Sequence, residues 1–193
     1  MHIDMIYTSI LERFSVELML KKIYSVIFVT ILIIVLSSCK RVYSDIDKYE
    51  NYINSIPGAQ DFMPSLDQLL TYERHAVFYV ETSSKSLNLI VYYSPDEYQD
   101  AKDIFLNSYE FLEEPLMEYN YYTIPEVEIF YNGYVIKVVK DENFNYPEQF
   151  GMFGYSDINH SISFMFFYDR SLNRLESYSL SDLIKYDFVF PKN

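Results

Sequence analysis

The chain holds a single thiol, Cys39, with Leu36-Ser37-Ser38 before it and Lys40-Arg41 after it. With one cysteine in the chain, no internal disulfide can form. One reading is an inert free thiol buried after a core strand. Elsewhere the candidates are sparse. His75 opens a strand-like run and His160 falls in a turn; no H-x-x-x-H pair, GxSxG elbow, P-loop, GxGxxG or CxxC occurs. Ser44-Asp45-Ile46-Asp47 and Asp141-Glu142-Asn143 offer oxygen ligands, but both lack the spaced acids and central glycine of a preformed calcium loop. They read as a helix start and a solvated loop. No catalytic residue, metal ligand or dissociable cofactor is therefore nominated.

The stretch leading to Cys39 has its own organisation. Lys21-Lys22 precede residues 23–36, 14 residues interrupted only by Tyr24, Ser25 and Thr30, whereas a spanning helix needs about 20. A charged segment, an apolar segment and a small-residue cleavage site follow one another, as in a secretory signal. Residues 19–41 resemble the lipobox signal peptide of bacterial lipoproteins. The resemblance implies that Leu36, Ser37 and Ser38 are read by the lipoprotein signal peptidase. It also implies that the Cys39 thiol receives a diacylglycerol through a thioether and that Cys39 becomes the new N-terminus. Two acyl chains, at about 0.8 kcal/mol per buried methylene, then hold the protein on the extracytoplasmic face of the cell membrane. Lys40 and Arg41 would meet anionic head groups. Residues 1–18 carry Asp4, Glu12, Arg13 and Glu17, unlike a short basic n-region, while Met19-Leu20-Lys21-Lys22 opens a conventional signal. Residues 1–18 are thus expected to be an upstream extension, the alternative being an unusually long n-region.

The expected organisation is a signal region over 1–38, a lipidated tether over 39–44, and a single domain over 45–193. The signal region holds three basic and three acidic residues, so the remaining 155 keep the whole chain's net charge of -13. That charge leaves no basic face for phosphates, which excludes nucleic acid as an expected partner. Half of the residues are apolar and 21 Tyr accompany 15 Phe, too apolar a mixture for disorder and enough for one core.

The elements that must position any site follow from spacing. Ile46, Tyr49, Ile53 and Ile56 predict a helix stopped by Pro57-Gly58, and Ser65 with Gln68 predicts a short one over 66–72. Runs at 75–81 and 87–93 predict a hairpin. Ser94-Pro95-Asp96-Glu97 supplies an N-cap, a proline at the first helical position and early acids. The apolar stripe Tyr98, Ala101, Ile104, Phe105, Tyr109 and Leu112 then extends that helix to Pro115. Asn132-Gly133 predicts a two-residue turn setting Tyr131 opposite Tyr134, Ile129 opposite Ile136 and Glu128 opposite Lys137. Strands at 150–156 and 161–168 and a helix after Ser179 or Ser181 complete an α+β fold. Its mainly antiparallel sheet has about six strands, with helices packed on one face.

Charge is distributed more tellingly than any motif. Between Lys102 and Lys137 no basic residue occurs, while Asp103, Glu110, Glu113, Glu114, Glu118, Glu126 and Glu128 fall there among Tyr109, Tyr119, Tyr121, Tyr122, Tyr131 and Tyr134. Glu110, Glu113, Glu114, Glu118, Tyr119, Tyr121 and Tyr122 are the expected partner surface, suited to a basic envelope protein or peptide. The plainer interpretation is that the acids keep a tethered domain soluble while half of the tyrosines enter the core. Two function classes result: a membrane-anchored binding module, favoured here, or an extracytoplasmic hydrolase whose site no motif reveals.

Overall fold

Strand register is set where the chain alternates apolar side chains with residues that can hydrogen-bond under cover. The structure is a computed structural model. It describes Lys22, Tyr24, Ile27 and residues 41–69, 73–80, 84–118, 121–171 and 179–190. The chain divides into two units, Met1–Cys39 and Lys40–Asn193, and the fold below is that of the second.

Its elements are β1 (Arg41–Tyr43), a 3-10 turn (Ile46–Lys48), α1 (Tyr49–Asn54), α2 (Ala59–Phe62), a second 3-10 turn (Leu66–Leu69), β2 (Glu73–Val80), β3 (Ser84–Tyr92) and α3 (Pro95–Ser108). There follow β4 (Leu116–Glu118), β5 (Tyr121–Ile124), β6 (Glu128–Tyr131), β7 (Tyr134–Val138), β8 (Gln149–Ser156), β9 (Ser161–Asp169) and α4 (Leu180–Asp187). Seven strands form one sheet in the order β1-β2-β3-β9-β8-β7-β6, and β4 pairs with β5 separately. Every pairing is antiparallel. The α+β class with a mainly antiparallel sheet is therefore what the chain adopts, with more strands than the six expected.

The cause of the Asn132-Gly133 turn is visible in its backbone. Asn132 and Gly133 have φ of 48° and 82°, and the strands leave it with Tyr131 opposite Tyr134, Ile129 opposite Ile136 and Glu128 opposite Lys137, as the sequence predicts.

Cross-strand partners share a face, and the sheet buries both of its faces. On one, Leu87 lies opposite Phe166, and Leu89 opposite Phe164, itself opposite Phe153. The α1, α2 and α3 helices pack there: Tyr52 stacks on Phe78 at 4.8 Å, Phe62 meets Phe166 at 6.1 Å and Phe105 meets Phe164 at 5.0 Å. The other face carries Ser86, Asn88, Ser161 and Ser163, all buried. Asn88 Nδ2 donates to Val189 O at 3.1 Å, Ser86 Oγ donates to Asp187 O, and Phe190 packs on Tyr134 at 4.9 Å. Ser163 Oγ donates to Asn88 Oδ1 at 2.6 Å. These bonds let polar side chains stay under α4 and the chain after it without the cost of an unpaired buried group. Helices on one face alone is thus the expectation that fails; β3 reads as one-sided because its second face is built from small polar residues.

Other departures have local causes. The helix expected over 46–56 begins as a 3-10 turn whose Asp47 N–H is capped by Asp45 Oδ1 at 3.1 Å. Between the helix expected to stop at Pro57-Gly58 and the one expected over 66–72 lies α2, entered through Gly58 at φ 77°. Ile104, assigned to the apolar stripe of α3, is 62 % exposed, and the helix ends at Ser108 rather than near Pro115. Arg41–Tyr43, placed in the polar tether, pair with β2 as Arg41 opposite Val80, Val42 opposite Tyr79 and Tyr43 opposite Phe78.

Candidate functional site

The acids of the expected partner surface sit where α3 gives way to extended chain. Pro95 opens α3, with Ser94 Oγ donating to Glu97 Oε2 at 2.6 Å. Its inner side is held by Phe105, and Tyr109 just beyond it packs on Phe62 at 5.4 Å and Phe153 at 5.8 Å. Tyr109 turns to φ -112°, ψ 144°, which ends the helix. The chain then runs beside the end of β7. Phe111 bridges to Val139, Leu112 N donates to Val138 O at 3.0 Å, and Lys140 N donates to Glu110 O at 2.8 Å.

That path leaves Glu110, Glu113 and Glu114 exposed around an open groove of about 480 Å³, lined also by Phe111, Leu112, Leu116 and Lys140. Lys140 Nζ lies 3.5 Å from Glu110 Oε2, an exposed pair of little energetic weight. Lys137 Nζ is tied to Glu128 Oε2 at 2.8 Å and lies 5.7 Å from the centre of the Phe111 ring. The groove thus has three carboxylates at its mouth, an apolar floor and one weakly held lysine. It can accept a cation with an adjoining apolar group.

The structure brings Glu110, Glu113 and Glu114 together, though on an extended segment and not on the last turns of a helix. Glu118 ends β4, and Tyr121 and Tyr122 open β5 opposite Glu118 and Met117; the side chains of these three, and all of Tyr119, lie outside the described residues. Other tyrosines of the stretch turn inward. Tyr134 is buried with its hydroxyl 2.7 Å from Ser161 Oγ, and burial pushes it up to about 12. Burial likewise pushes the Tyr109 hydroxyl up to about 12. Tyr131 packs on Phe190 at 5.8 Å. The role of Phe111, Leu112 and Leu116 as a floor escaped sequence reading, which set Leu112 on the helical stripe; acids flanking an apolar pair just before Pro115 were the available signal.

Leu36, Ser37, Ser38 and Cys39, the expected recognition and lipidation residues, lie outside the described residues. His75 Nε2 lies 3.3 Å from Glu73 Oε1, and the His160 ring packs at 5.4 Å from Tyr98. Beside His160 a second polar group forms: Lys102 Nζ and the Tyr98 hydroxyl both donate to Asp157 Oδ1 at 2.8 Å. The Lys102 ammonium, then the Tyr98 hydroxyl, hold the Asp157 carboxyl below its ordinary range. This group pins α3 to the β8–β9 turn. Among the described residues no group of three or more metal-ligating side chains occurs, and no helix is long and apolar enough to cross a membrane.

Comparison of the chain with protein-family models, with curated proteins and with solved structures finds no match.

Proposed function

We propose that the protein is a lipid-anchored lipoprotein on the extracytoplasmic face of the cell membrane, and that its folded domain is a binding module, not an enzyme, for a basic envelope protein or peptide. The anchoring part rests on residues 19–41, with diacylglycerol carried by Cys39. The binding part rests on one observation: Glu110, Glu113 and Glu114 surround a single groove with an apolar floor. A carboxylate rim steers a cationic partner, and the floor holds an apolar side chain once the partner arrives. The β1 pairing supports a short tether, because only Lys40 separates Cys39 from the first paired residue.

The test is kinetic. A partner recovered from detergent-solubilised membranes should associate more slowly as salt rises past about 0.15 M, where the screening length is about 8 Å. Changing Glu110, Glu113 and Glu114 together to Gln should slow association at low salt by a similar factor, with a smaller change in affinity. A partner indifferent to both salt and the three changes would show that the acids only keep the domain soluble.

A further inference from the structure

Two segments distant in sequence form one border of the large sheet, with which no further strand pairs among the described residues. On the outer side of β7 lies β6, and past Val138 its place is taken by residues 110–112. Val138 N donates to Val127 O at 2.9 Å while Leu112 N donates to Val138 O at 3.0 Å, so the two segments meet at one residue of β7. Both are antiparallel to it and form a single broken strand. In an antiparallel ladder, bonded and unbonded pairs alternate. With Val127 bonded to Val138, the phase makes positions 127, 129 and 131 face β7, so the backbone N–H and C=O of Glu128 and Phe130 face outward. Phe111, between the inward-bonded Glu110 and Leu112, presents its backbone the same way.

The opposite border is occupied by β1; among the described residues no strand pairs with the outer side of β6. Natural sheets blunt such borders with proline, lysine, bulges or cover. This one instead presents Phe130, 73 % exposed, and the carboxylates of Glu110, Glu113, Glu114 and Glu128 against two lysines.

We propose that this border receives an extended cationic segment of a partner protein as an added strand. Its backbone bonds to the outward groups of Glu128, Phe130 and Phe111, its lysines or arginines meet the four carboxylates, and an apolar side chain covers Phe130. Charge complementarity selects this occupant. A second copy would bring together two borders of the same sign on chains of net charge -13. The proposal rests on the acidic-groove reading and adds to it the mode of binding.

The probe is a capped ten-residue peptide of alternating lysine and valine, titrated into the full-length chain in non-ionic detergent and followed by fluorescence anisotropy. Salt-sensitive binding is expected, weakened roughly fivefold by Phe130→Pro, which removes an outward N–H without breaking a bond to β7. A peptide of the same sequence, N-methylated at alternate residues along its bonding edge, should bind at least as poorly to the unaltered protein. Amide exchange at Phe130 should slow in the complex. Salt-sensitive binding that ignores both Phe130→Pro and N-methylation overturns strand addition while leaving the acidic surface standing. Absence of salt-sensitive binding overturns both. A dimer that Phe130→Pro dissociates identifies a second copy as the occupant and overturns the cationic partner.

Discussion

Single side chains in this protein work through the groups they are held against. Asp157 accepts from Lys102 and Tyr98 at once, yet its side chain is 65 % exposed, so water screens most of the attraction. Asp157→Asn should therefore cost less than about 1 kcal/mol at neutral pH. The carboxyl's folded pKa lies below its ordinary 3.8, so its stabilisation is complete above that value and is lost as pH falls through the lower, folded one. Denaturant melts of the two proteins should differ near pH 7 and converge in acid below the folded pKa; a constant gap would show that the carboxylate's charge contributes nothing. Phe164 is the opposite case, fully buried between Phe105 and Phe153. Phe164→Ala should cost about 3–5 kcal/mol in the same melts, through lost burial and the cavity left behind. A loss below about 1 kcal/mol would mean that the helical face repacks freely.

Among the elements, the β6–β7 hairpin offers the sharpest contrast. Gly133 has φ 82°, which a β-branched residue resists, so Gly133→Val should destabilise by about 1 kcal/mol or more. Glu128→Ala removes one exposed cross-strand pair and should cost about 0.2–1 kcal/mol. Equal losses in thermal melts would contradict the register. The strand β1 is three residues, all exposed. Val42→Gly should loosen it, raising the rate of tryptic cleavage at Arg41 with global stability unchanged within about 0.5 kcal/mol. Cleavage at the original rate would mean that β1 is already detached in solution. The hairpin was legible because Asn-Gly demands one turn and the turn dictates the pairs. Local chemistry also announced the start of α3 and the Ser179 cap of α4. The end of α3 was not legible, because Phe111 and Leu112 suit a helical stripe as well as a strand and only contact with Val138 and Val139 decides between them. Nor was β1, whose pairing depends on β2 nearly forty residues away.

For the whole molecule, sequence and structure speak about different halves of the functional proposal. The acidic stretch was readable as a run without lysine or arginine, and three of its carboxylates do share a groove. The groove's floor was not readable, since it exists only where 110–112 lies against the end of β7. Which tyrosines enter the core was not readable for a related reason: a tyrosine can be buried when its hydroxyl finds a partner, as Tyr134 finds Ser161. Anchoring, in contrast, is legible only in sequence, in the order of charged, apolar and small residues that ends at one thiol. Under the proposed anchoring, that thiol sets where the domain works. Metabolic labelling with a fatty acid analogue in a host that processes lipoproteins should place label on the wild-type chain and none on Cys39→Ser, because serine cannot form the thioether. Label retained on Cys39→Ser, or absent from wild type, would contradict the assignment of the protein to the membrane surface.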